Sequence, residues 1–84
     1  MSWTVVWLGP AQNLLADIWM NAPNQQAVTD ASNLIDAILR RDPYACSESR
    51  DGNSRVMIER PLGVGYDVSD DDRMVTVWSV WRIK

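Results

Sequence analysis

Apolar residues change their spacing partway along this 84-residue chain, and that change restricts the fold more than any other feature. Ala27, Val28, Ala31, Leu34, Ile35, Ile38 and Leu39 form one stripe, with Gln25, Gln26, Asp30, Asn33 and Asp36 largely off it. Residues three and four apart share a helix face, so the stripe predicts an amphipathic helix from about Asn24 to Arg41. Pro23 or Asn24 starts it, Arg40 and Arg41 suit the negative end of its dipole, and Pro43 forbids continuation. From residue 62 the period drops to two: Leu62, Val64, Tyr66 and Val68 alternate with small or polar residues, as in a half-buried strand.

The remaining segments fit around these two. "SWTVVWL" (2–8) is rich in β-branched and aromatic residues and stops at Gly9-Pro10, which predicts a strand. "PAQNLLADIWM" then carries Ala11, Leu14, Leu15, Ile18 and Trp19 at helical spacing, with Pro10 suited to the first turn. Residues 44–54 read as a polar connection with an Asp51-Gly52 turn. Strands are expected at about 55–60, 62–68 and 73–82, separated by Pro61 and by Ser69-Asp70-Asp71-Asp72. The order is β-α-α-β-β-β. It predicts a two-layer α+β fold, a helix hairpin packed on a four-stranded, mostly antiparallel sheet, in a single domain spanning 1–84.

Gly63 and Gly65 interrupt the alternating strand on the face away from its large residues. Strand glycines mark a bulge, a bend or a close approach, so this face reads as a shallow trough on the uncovered side of the sheet. A three-residue loop would set Ser69 against Arg73, Val64 against Trp78 and Gly63 against Ser79; a loop one residue different reverses the parity and lets Trp78 cover Gly63. Trp78 and Trp81 differ by three, so a regular strand points them to opposite faces, one onto the uncovered side. Tryptophan is enriched at binding hot spots, which favours a protein partner over RNA there; the plainer alternative packs Trp81 on Trp3 or Trp7. Gly63, Gly65, Trp78 and Trp81 are the candidate partner-binding residues.

Composition excludes several chemistries. Histidine is absent, so no Ser-His or Cys-His pair can form and the commonest metal ligand is missing; no metal and no cofactor are expected. Ser47, Ser49 and Ser54 have no base to activate them. Asp70-Asp71-Asp72 lacks the spaced ligands and distal glutamate of a calcium loop and reads as a solvated turn. Cys46 is the only cysteine, which suits a reducing compartment, and no run approaches a membrane span; a cytoplasmic location is expected. A formal charge of −3 counts against broad phosphate contact.

Four strings, "ADIW" (16–19), "LIDAILRRDP" (34–43), "SRVMIERPLGVGYDV" (54–68) and "DDRMVTVWSV" (71–80), together with the element order, resemble the RelE/ParE superfamily, the toxin halves of bacterial type II toxin–antitoxin pairs. The resemblance covers nearly the whole chain. It implies a small toxin-like fold around which an antitoxin wraps. In the ribosome-dependent ribonuclease branch it implies cations, and often a C-terminal tyrosine, that activate a ribose 2′-hydroxyl and stabilise charge on the scissile phosphate. Here the family's third-strand arginine falls at Gly63, Arg55 lies beside one basic position, and only Trp81-Arg82-Ile83-Lys84 follow "WSV". Arg55, Arg82 and Lys84 are therefore the candidate catalytic residues of a degenerate ribosome-dependent endoribonuclease acting on mRNA, with Arg82 and Lys84 serving if the last strand curls over the trough. A ParE-like inhibitor that binds DNA gyrase, or a non-toxic protein-interaction domain of the same fold, are the alternatives.

Overall fold

Asn24 and Pro10 place the helices. In the computed structural model, which describes residues 2–45 and 47–83 with the side chains of Arg50 and Asp51 outside that description, helix α1 runs Gly9–Asn21 with Pro10 in its first turn. Helix α2 runs Gln25–Arg41, within one residue of expectation, and the Asn24 side chain accepts a hydrogen bond from the Ala27 amide at 3.1 Å. Val28, Ala31, Ile35 and Leu39 are buried, while Leu34, at the edge of the same stripe, stays 46% exposed.

The strands are β1 (Thr4–Trp7), β2 (Ser47–Asp51), β3 (Ser54–Glu59), β4 (Leu62–Ser69) and β5 (Met74–Arg82), in the sheet order β1-β5-β4-β3-β2. β1 joins β5 in parallel and every other pair is antiparallel. The sheet thus has five strands and not the four expected. The extra strand, β2, falls in the stretch read as a polar connection. Its sequence SESRD has no β-branched residue, but the turn at Gly52 (φ +58°) folds it back on β3, and charged residues are ordinary on an edge strand. The opposite edge is also occupied: the Arg40 carbonyl accepts from the Trp3 amide at 2.8 Å, and Gln12 Nε2 donates to the Trp7 carbonyl at 2.7 Å.

Leu62, Val64, Tyr66 and Val68 of β4 share the inner face with Val75, Val77 and Val80 of β5, Met57 of β3 and Val5 of β1, all buried under the helix pair. The face without helices is the one bearing Gly63 and Gly65.

The last hairpin turns through residues 70–73, one residue more than the three-residue loop and so the second of the two expected cases. Ser69 faces Met74 and not Arg73, because the turn includes Arg73 at φ +48°. That left-handed conformation is uncommon for a residue with a side chain; here the Arg73 amide donates to the Asp70 carbonyl and its guanidinium lies 4.5 Å from the centre of the Trp3 ring. Farther along, Tyr66 faces Val77 but Gly65 faces Ser79, so Trp78 is the extra residue of a β-bulge. The bulge resets the alternation. Val77 and Val80 both point to the core, and Trp78 and Trp81, expected on opposite faces, share the outer one.

Candidate functional site

The outer face is built from residues alternating with the core set. The register places Val6 on β1, Met74, Thr76, Trp78 and Trp81 on β5, Asp67 on β4, and Ser54, Val56 and Ile58 on β3. The glycines do not form an open trough between them. A Cβ built on Gly63 would lie 2.5 Å from Trp81 Cε2, and one on Gly65 would lie 2.9 Å from Trp78 Cζ2; each glycine is the floor beneath an indole. Gly63 and Gly65 are buried and cannot touch a partner themselves, which corrects the expectation of a small-residue strip left open for one. Their role is to let the indoles lie flat, the arrangement by which an aromatic neighbour shields a strand glycine.

With the glycines roofed, the surface is an apolar platform. Trp78 is 44% exposed and Ile58 48%, with Val6 and Met74 also exposed and Trp81 half-buried. Ile58 and Val6 had no signal in the sequence beyond parity, since only the register shows that they flank the indoles. The one carboxylate at the centre of the face, Asp67, accepts from Ser54 Oγ at 2.6 Å. No lysine or arginine stands on this face among the described side chains.

The candidate catalytic residues lie elsewhere. Arg55 pairs across from Tyr66 on the helix side of the sheet, where its guanidinium sits 4.9 Å from the Tyr44 ring centre and its Nε donates to Ser47 Oγ at 2.7 Å. Arg82 pairs with Leu62 at the opposite end of β4 and lines a cleft with Arg60, Pro61 and Ala22–Asn24. Four residues of strand put the two arginines about 13 Å apart along the sheet, with a further two strand spacings of about 5 Å each across it. They do not converge on one phosphate. Lys84, like Cys46, lies outside the described residues. No cluster of three metal-ligating side chains occurs among the described residues, and no described helix is long and apolar enough to cross a membrane.

Around Arg55 the connection after α2 is clamped. Tyr66 Oη donates to the Pro43 carbonyl, and Tyr44, edge-on to Trp3 at 6.1 Å between ring centres, donates to Asp70 Oδ1 at 2.8 Å. The hydrogen bond to Asp70 holds the Tyr44 phenol above its ordinary pKa of 10.0, with burial and the Asp70 charge adding to the effect. A group whose folded pKa is raised contributes stability that is complete below its unfolded pKa and lost as the pH passes its folded one. Tyr44→Phe should therefore be less stable than the parent at pH 8, with the gap closing as the pH rises above 10. Urea titrations of both proteins across that range check it, and a gap that widens with pH contradicts it.

No protein-family model matches the chain, and no curated protein matches it in sequence. Solved structures match closely in shape. The toxin–antitoxin complex RelBE2 from Mycobacterium tuberculosis is similar over 98% of this chain and 99% of that one, with a TM-score of 0.81 at 13% identity. The chain has the RelE/ParE toxin fold. The chromosomal ParDE toxin–antitoxin system of P. aeruginosa gives a TM-score of 0.73 at 16% identity over 98% and 97% of the two chains. The isolated RelE toxin of E. coli gives 0.59 at 14% identity over 98% and 85%. In this chain the helices cover one sheet face and leave the other bare. On that bare face the described residues supply indoles and aliphatic groups and no cation.

Proposed function

We propose that this protein is the toxin-like component of a toxin–antitoxin pair, acts as a single cytoplasmic domain, and binds its antitoxin through the outer sheet face. The carrying observation is the indole platform, Trp78 exposed and Trp81 half-buried, on a face with no described cation. Apolar side chains of a polypeptide recover free energy when they cover exposed indoles, whereas a phosphate backbone needs donors and positive charge. Structural likeness to toxin–antitoxin toxins supports the toxin-like role, and RelBE2 and ParDE are themselves described as toxin–antitoxin assemblies. Ribosome-dependent cleavage of mRNA is the weaker reading, because stabilising a transition state by several kcal/mol requires donors converging on one point. Inhibition of gyrase by binding needs no such cluster and stays compatible with this face.

The test is induced expression with and without the product of the neighbouring reading frame, followed by growth, mRNA-cleavage and binding measurements. The partner should relieve growth arrest and co-purify, and transcripts should remain uncut at codon boundaries. Trp78→Ala should weaken the complex by about 2 kcal/mol, roughly 30-fold, measured under conditions in which the free variant stays folded, since the ring also covers Gly65. Binding that Trp78→Ala leaves untouched contradicts the assignment of the face. Codon-boundary cleavage that disappears in Arg82→Ala contradicts the non-enzymatic reading.

A further inference from the structure

Cross-strand neighbours divide the outer sheet face into three rows. Ser54, Asp67 and Thr76 stand side by side in the first, and all are polar. In the second, Val56 flanks the Trp78 ring above Gly65; in the third, Ile58 flanks the Trp81 ring above Gly63. Successive rows are two β4 residues apart, about 6.7 Å. The face is therefore polar at one end and apolar along the rest. Asp67 is exposed, and Ser54 Oγ, at 2.6 Å, is the one side-chain partner of its carboxylate among the described residues. A carboxylate accepts about four hydrogen bonds, so most of that capacity remains for a donor from outside.

We infer that the partner presents an amphipathic helix to this face, with a lysine or arginine at Asp67 and an apolar side chain on each of the two indole rows. The inference rests on the reading of the outer face as a partner site and adds what that partner must carry. Spacing and hydrogen bonding select the helix. Residues four apart on one helix face rise by about 6 Å, within an ångström of the row spacing. An extended segment has a matching two-residue step, but laid flat over indoles it leaves its amides and carbonyls unpaired, and strands that join a sheet do so at an edge. A helix satisfies its backbone internally. Charge selects the residue at the first row: an apolar group over Asp67 strips water from the carboxylate without replacing it, whereas a cation supplies a charge-assisted hydrogen bond. The helix dipole sets the direction, with the positive N-terminal end over Asp67.

Three peptides of about 16 residues on an alanine–glutamine background, long enough to form helix, serve as probes. The first has a lysine followed by leucines at the fourth and eighth positions after it, the second has glutamate in place of that lysine, and the third scrambles the first. Each is titrated into the full chain while backbone amide and indole N–H resonances are followed. The lysine peptide should give saturable shifts at Gly63, Gly65, Thr76 and both indoles, the glutamate peptide should bind about fivefold more weakly, and the scrambled peptide should not saturate. Asp67→Asn should weaken the lysine peptide about fivefold and leave the glutamate peptide unchanged or tighter. The asparagine oxygen still accepts from Ser54 Oγ, so the amide spectrum away from this face should match the parent's, which separates lost binding from lost folding. A lysine peptide that Trp78→Ala weakens but Asp67→Asn does not overturns this inference alone and leaves the partner face standing. No saturable shifts from the lysine peptide, equal binding by the scrambled one, or shifts centred on the helices also overturn it. The reading of the face itself falls on a different result, a neighbouring product whose binding Trp78→Ala leaves untouched.

Discussion

Ile35→Ala is expected to lower the unfolding free energy by about 3 kcal/mol, within the 2–5 kcal/mol that such truncations cost in well-packed interiors. Ile35 is fully buried on α2 and belongs to the core that includes Tyr66, Val64 and Leu39. The loss has two parts: the transfer free energy of the removed carbons, and the cavity they leave if a small two-layer core relaxes only partly. A chain of 84 residues has a total stability on the order of 4–13 kcal/mol, so this single change removes a large share of it. The adjacent Leu34 is the control. It belongs to the same sequence stripe but is 46% exposed, and alanine is a good helix former, so Leu34→Ala should stay within about 0.5 kcal/mol of the parent. Urea midpoints at unchanged slope measure both, and equal losses at 34 and 35 would show that the helix is rotated from the orientation described here.

Gly63→Val should destabilise by about 2–3 kcal/mol even though valine is the better strand former. Two effects oppose each other. Replacing glycine restricts the unfolded chain and adds strand propensity, together worth about 1 kcal/mol in favour of folding. Against this, the first added carbon falls 2.5 Å from the Trp81 ring, so the indole must leave its seat, and overpacking of this kind costs about 1–3 kcal/mol before the exposed ring surface is counted. Steric displacement wins. In a Trp81→Ala background the clash is gone, and Gly63→Val should become neutral or stabilising. That sign reversal in a double-mutant cycle is the diagnostic result. A cost that persists without Trp81 would mean that the glycine is needed for backbone reasons and not as the floor of the indole.

The parts of the fold that were legible in the sequence are those with redundant local signals. Helix α2 has a cap at Asn24, prolines on both sides, arginines in its last turn and an unbroken stripe, and each cue points to the same limits. β4 declares itself by strict alternation. β2 does not, because an exposed edge strand is held by backbone pairing to β3, and SESRD has no side-chain pattern to betray it. The outer face was half readable. Glycines opposite a tryptophan-bearing strand raise the idea of an indole over a glycine, but the pairing of Trp81 with Gly63 and Trp78 with Gly65 depends on a left-handed Arg73 and on a bulge at Trp78. Neither has a local signature: no glycine or asparagine marks residue 73, and nothing in "VTVWSV" distinguishes a bulge from a regular strand. Arg55 illustrates the same limit for sites, since its residue type suits phosphate chemistry but its parity turns it toward Tyr44.

β5 follows the other four strands in sequence, yet it lies between β1 and β4 in the sheet. A nascent chain therefore cannot close this sheet while residues 74–82 are still in the exit tunnel of the ribosome, because β1 has no neighbouring strand until β5 emerges. Both indoles of the outer platform belong to that same late strand. Whatever the platform recognises, it first exists as a surface after elongation has passed residue 81, and a prematurely terminated product lacks both the recognition surface and the strand that joins the two halves of the molecule.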